Sequence, residues 1–166
     1  MGAVTEALLR DPVHLASSRA RAYWTVRALP VWLVVVGVEV LVLFTSGFST
    51  TARLAVLTPT VLLALLHLGV MPQWRYRVHR WEITDTAVYT QSGWFDQERR
   101  IAPIARVQTV DVERGPIEQL FGLANVTVTT ASARGPLKIH ALDRATAEHA
   151  VAWLTERAQT GGGDGT

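Results

Sequence analysis

The sequence predicts a membrane protein: a two-helix transmembrane hairpin followed by a mainly β cytoplasmic module closed by a C-terminal helix. Three observations carry that expectation. Two apolar runs, each long enough to cross a hydrocarbon core, stand almost back to back; after residue 75 the chain changes to short Val-, Thr- and Ile-rich segments between turn residues; and residues 142–159 return to a helical spacing of apolar positions. With 166 residues, 16 Lys+Arg against 14 Asp+Glu and a positive mean hydropathy, one ordinary domain or two small modules fit. The absence of cysteine excludes disulfide scaffolds, Cys-ligated zinc, iron–sulfur clusters and thiol catalysis.

The first apolar run, 28–48, has one ionisable residue, Glu39. At 1.5 Å per residue it spans about 30 Å, the thickness of a hydrocarbon core. The second, 52–71, begins with Arg53, and the residues between are too few for anything but a tight turn. The two helices are therefore expected to run antiparallel. A buried helical pair of a soluble protein is the competing explanation, and runs this long with so little polar content argue against it. Arg10, Arg19, Arg21 and Arg27 precede the first span, Arg75, Arg77 and Arg80 follow the second, and the outer turn offers only Arg53. Both termini are thus predicted to be cytoplasmic, with Tyr23, Trp24, Trp74 and Tyr76 at the inner interface and Phe44 and Phe48 near the outer one. The first run is too long and too far from Met1 for a cleaved signal peptide, so an uncleaved anchor is expected.

Glu39 falls near the bilayer midplane, where a bare carboxylate is costly. Counting helical rises puts Thr58, Pro59 and Thr60 at its level and His67 about 10 Å nearer the cytoplasm. The expected partner is a threonine hydroxyl or a carbonyl freed by Pro59. Such a group serves either a proton or substrate relay or a helix-association contact, and association is the commoner use.

Beyond Arg75 the pattern predicts strands at 76–83, 87–92, 94–102, 107–113, 125–130 and 137–141. Turns fall at Thr84-Asp85, Gly93, Arg114-Gly115-Pro116 and Ala133-Arg134-Gly135. Val126, Val128 and Thr130 alternate with Thr127 and Thr129, the mark of a strand with one buried face. Residues 116–121 suit one helical turn. In the helix predicted for 142–159, Asp143 suits the N-cap and Ala147, Ala150, Val151, Leu154 and Ala158 share a face. The resulting organisation is an N-terminal cytoplasmic segment (1–27), the hairpin (28–71), the module (75–159) and a glycine-rich flexible tail (160–166).

Charge divides the chain. Residues 1–80 hold eight arginines against Glu6, Asp11 and Glu39, a balance of +5, whereas residues 81–166 come to −3. Basic character therefore hugs the membrane, with topology as its simplest cause. Attraction of Arg75, Arg77 and Arg80 to anionic lipid adds roughly 1 kcal/mol per residue. The mildly acidic module is a poor nucleic-acid binder.

Several pieces in order then resemble the membrane-anchored bacterial pleckstrin-homology-like (PH-like, YdbS-like) family. They are Trp81-Glu82-Ile83-Thr84-Asp85, Ser92-Gly93-Trp94-Phe95, Arg99-Arg100-Ile101-Ala102-Pro103, Arg106-Val107-Gln108-Thr109-Val110-Asp111, the stretch from Gly115-Pro116-Ile117 to Gly122-Leu123-Ala124, and Val126-Thr127-Val128. Arg19 to Trp24 and the hairpin also suit that family. The resemblance implies a PH-like β-sandwich or barrel of six to seven strands capped by a C-terminal helix, in the bacterial cytoplasmic (inner) membrane, with no enzyme activity. Phosphoinositide binding in eukaryotic PH domains uses a basic first hairpin; here that turn is Thr84-Asp85-Thr86, so the property is not carried over. Arg106 and Gln108 have two readings. They hydrogen-bond within the module, as arginine's fork of donors allows, or they face a partner protein.

His14, His67, His79, His140 and His149 show no metal-ligand spacing, and no phosphate-cradling loop or nucleophile elbow occurs. No cofactor, metal or small-molecule substrate is expected. His140 and His149 come within reach of each other only if the last strand leads directly into the helix. The functional expectation is a non-enzymatic docking or scaffolding module whose partners are membrane lipids and a second copy or a related PH-like membrane protein. The alternatives are a small transporter or pump accessory subunit using Glu39, and an anionic-lipid-binding surface module.

Overall fold

The computed structural model describes residues 11–132 and 135–161. The expected tail beyond Gly161, the Ala133-Arg134 part of the turn and the start of the N-terminal segment lie outside the described residues. Strand β1 (His14–Leu15) precedes helices α1 (Ala20–Thr45) and α2 (Thr50–Val78). Strands β2 (Arg80–Ile83), β3 (Ala87–Gly93), β4 (Gln97–Pro103) and β5 (Val107–Glu113) follow, with a 3-10 turn at Ile104–Arg106. A short helix α3 (Pro116–Leu120), strands β6 (Leu123–Thr130) and β7 (Leu137–Asp143) and helix α4 (Arg144–Gly161) complete the chain.

Among the described residues, helices α1 and α2 pack on each other and, at one end, on the module. In their most apolar 18-residue stretches, 6% and 11% of the residues are buried. Core helices of a soluble protein bury most of theirs, so this is a large exposed apolar surface of the kind lipid covers. Gly47, at φ +69, turns the chain out of α1, and the Ser49 hydroxyl caps α2 by accepting from the Ala52 amide at 3.3 Å. Arg53 folds back so that its guanidinium lies 4.4 Å from the Phe44 ring and its Nε donates to the Leu43 carbonyl at 3.2 Å. Pro30, Pro59 and Pro72 sit inside these helices, which membrane-crossing helices tolerate.

The helix α2 runs to Val78, so Tyr76 to Val78, expected to be strand, are helical. Extending an existing helix needs no new nucleus, and Val78 buries from the helix as well as it would from a strand. Only His79 separates α2 from β2. The Trp94 end of the third expected strand is likewise a loop, since β4 starts at Gln97.

The module is two antiparallel sheets, β1-β2-β3-β4 and β5-β6-β7, with α4 packed on the second. Val88, Ala102 and Ile104 from one side meet Val126, Val128, Leu137, Ile139 and Leu142 from the other, and α4 contributes Ala147 and Leu154. Val126 and Val128 are fully buried as expected, but Thr127 between them is 6% exposed, so the strand expected to bury one face is covered on both there. The strand at His14–Leu15 escaped the sequence. It is two residues long and gains its hydrogen bonds by pairing with Trp81 and Arg80.

Candidate functional site

Within the hairpin, Thr60 of α2 meets Glu39 of α1, and Trp32 of α1 meets His67 of α2. The Thr60 hydroxyl lies 2.9 Å from Glu39 Oε1 and 3.2 Å from the Val56 carbonyl, so its proton has two acceptors. Glu39 Oε2 is buried and has no hydrogen-bond partner among the described residues. Thr58, expected at the same level, is exposed on the outer surface of α2, because two residues along a helix rotate a side chain away from its neighbour's face. His67 lies apart from Glu39 and accepts from Trp32 Nε1 at 2.9 Å.

The start of α1 and the end of α2 are sewn into the module. Ala16, Ala20, Tyr23, Trp24, Leu123 and Ala141 form a second core there. Its backbone device is an irregularity in the pairing of β6 with β7. Ala124 faces Leu142 and Val126 faces Ile139, so Asn125 stands opposite both His140 and Ala141. Ala141 takes a left-handed φ of +56, its amide donates to Asn125 Oδ1 at 2.9 Å, and its carbonyl accepts from the Ser17 amide at 2.9 Å. The Ser17 hydroxyl donates to Asp143 Oδ1 at 2.8 Å, so Asp143, the expected cap of α4, ties the N-terminal segment down. On the same side, the Tyr23 hydroxyl donates to Glu118 Oε1 at 2.7 Å and accepts from Arg27 at 2.7 Å. Burial works against the Glu118 charge, but the hydrogen bonds from Tyr23, its own backbone and Asn125, with the Arg27 charge, outweigh it and lower the pKa.

The three arginines expected at the lipid interface do not form one patch. Arg75 turns inward, its guanidinium 4.7 Å from the Trp24 ring and its Nε buried without a hydrogen bond among the described residues. Arg77 is exposed, and Arg80 is half-buried with Nε 3.4 Å from the Arg77 carbonyl. The helix phase decides this, since Arg75 shares the face of α2 that Trp24 covers. Trp24 also lies 4.9 Å from the His79 ring, and His79 lies 6.2 Å from His140. Burial, reinforced by the Arg75 charge, pulls the His79 pKa down to about 4. The same two causes lower the pKa of His140. His140 therefore faces His79 and not His149, which lines an open groove of about 520 Å³ with His14, Trp81 and Trp153 between β1–β2 and α4. Among the described residues, no three His, Cys, Asp or Glu gather to hold a metal ion.

Arg106 ends the 3-10 turn, and the register of β5 on β6 slips between Val107 and Thr109, so Gln108 is the extra residue of a bulge. Both side chains are exposed and make no hydrogen bond among the described residues, so the internal bonding expected of them is not made. A bulge re-aims its side chain, and nothing in the sequence marks its place. The strand β5 pairs with β6 alone, leaving its other edge open among the described strands.

A profile of the bacterial PH domain family matches residues 24–158. A stretch of 63 residues is 38% identical to the UPF0699 transmembrane protein YdbS of Bacillus subtilis (strain 168), covering 38% of this chain and 40% of that one. The match thus spans under half of that relative's length. No solved structure matches. Neither the family's description nor the relative's name carries a catalytic activity. The profile begins at Trp24, in the junction core, and runs through both helices, both sheets and most of α4, so the chain belongs to the bacterial PH domain family, as a membrane-associated member of the YdbS kind.

Proposed function

We propose that this chain is a non-enzymatic docking protein of the bacterial inner membrane, with both termini and the PH-like module in the cytoplasm. The observation that carries the proposal is the free edge of β5, flanked by Arg106 just before it and the bulged Gln108 near its start, both exposed and unpaired among the described residues. An open strand edge offers a partner a row of backbone donors and acceptors, and flanking polar side chains add selectivity. Both spans keep any partner in the same bilayer effectively concentrated, so a modest contact suffices. The partner class is a second copy or a related PH-like membrane protein.

Cross-linking of the tagged full-length protein in its native membranes, followed by mass spectrometry, tests this. A specific protein neighbour cross-linked to β5, and reduced by joint Arg106→Ala and Gln108→Ala substitution, supports the docking role. Recovery of monomer alone removes it. The unpaired Glu39 Oε2 favours a second reading, a transport accessory subunit that moves protons at the midplane. Glu39→Gln, run in parallel, then abolishes activity and leaves assembly intact.

A further inference from the structure

We infer that the tip of the β3–β4 hairpin, Trp94 and Phe95, is a second membrane attachment, seated among the lipids of the cytoplasmic leaflet beside α2. The inference rests on α1 and α2 crossing the bilayer as proposed above. β3 and β4 pair up to Gly93 opposite Gln97, which leaves Trp94, Phe95 and Asp96 as the whole loop. Gly93 has φ +114, and a Cβ there would collide with the Asp96 carbonyl, so the turn is tight and the sheet sets where its apex points. At that apex Phe95 is 92% exposed and Trp94 44%. Two large rings at the tip of a rigid loop need a cover.

Depth comes from a contact with α2. The Trp94 ring lies 5.9 Å from the His67 ring, whose Nδ1 is held by Trp32. His67 is six residues inside Gln73, where the polar cytoplasmic end of α2 begins, or about 9 Å along the helix. Helical side chains lean toward the N-terminus, which in α2 points further into the bilayer. Trp94 therefore meets α2 below its polar end, at the boundary of headgroups and acyl chains where tryptophan is favoured. Leu66 and Val70, beside His67 on the helix, are exposed, so the rings extend an apolar belt that lipid already covers. Asp96, Gln97 and Glu98 follow at once and keep the insertion shallow, since their side chains belong with headgroups. The module is then held at two points, the His79 junction and this tip, which fixes how it faces the bilayer.

The cysteine-free chain permits a direct test, because an introduced cysteine is unique. Phe95→Cys, Val38→Cys in α1 and Thr86→Cys at the far end of β3 are each labelled with a nitroxide in the full-length protein. The proteins are placed in phosphatidylcholine–phosphatidylglycerol vesicles, and collisions with oxygen and with an aqueous nickel chelate are compared. The Phe95 site should favour oxygen several-fold over the Thr86 site, and less than the Val38 site. A label at Gln97→Cys should become more accessible to nickel when Trp94→Ser and Phe95→Ser remove the rings. A Phe95 site as open to nickel as Thr86, with Val38 shielded, overturns the tip attachment and leaves the spans standing. A Val38 site open to nickel overturns the spanning reading itself. Shielding of the Phe95 site from both reagents overturns lipid as the occupant in favour of a protein, such as a second copy.

Discussion

The hairpin and the junction beneath it keep polar groups away from water in different ways. In the hairpin isolated pairs, Thr60 with Glu39 and Trp32 with His67, join two helices whose apolar side chains are mostly exposed. At the junction, the Trp24, Arg75, His79 and His140 side chains contact one another in series, Tyr23, Glu118 and Asn125 share hydrogen bonds, and Asn125 and Ser17 both hold the backbone of Ala141. A pair is lost alone; an interlocked cluster leaves several buried groups without partners when one member goes. The junction is therefore where the hairpin's position is transmitted to the module.

The largest expected effect breaks the junction directly. Trp24 is 2% exposed and stacks on both Arg75 and His79, so Trp24→Ala should cost about 3–5 kcal/mol of module stability. Denaturant unfolding in detergent micelles, with limited proteolysis of the module as readout, measures it. Unchanged unfolding would show that the sandwich core stands without the junction.

Acid should act at the same place. His79 has a folded pKa of about 4 against the usual 6.5, so the fold favours its neutral form. That stability is fully present above pH 6.5 and is lost as pH falls toward 4, at up to roughly 1.4 kcal/mol per pH unit. The lowered pKa of His140 acts in the same direction. An unfolding series across this range should slope for the native chain and flatten in His79→Gln; equal slopes would move the titration elsewhere. The smallest effect belongs to the hairpin, where Thr60→Val removes one interhelical bond worth about 0.6 kcal/mol, read as a small loss of resistance to steric trapping in bicelles. A cost matching that of Trp24→Ala would erase the contrast between the two regions.

How far the sequence was readable follows the same divide. The spans, the Glu39–Thr60 pairing and most strands were legible because they rest on local periodicity and on counting along two neighbouring helices. Val107 to Glu113 appears as strand with the bounds read from the sequence. Three features were not legible. Tyr76 to Val78 alternate like a strand yet continue α2. Arg75 looked like a lipid-facing cation, and the phase of α2 turned it under Trp24. His14 and Leu15 are a strand only because Arg80 and Trp81, far along the chain, lie beside them.

By itself, the sequence determined that the chain crosses or coats a membrane with two helices, carries a β module and lacks cysteine chemistry, because length, hydropathy and side-chain alternation are local quantities. Tertiary structure alone decided which polar groups are buried together. The bulge at His140–Ala141, the slip at Gln108 and the turn that brings Trp94 to His67 each depend on strand register, and register is set by contacts between segments distant in the chain.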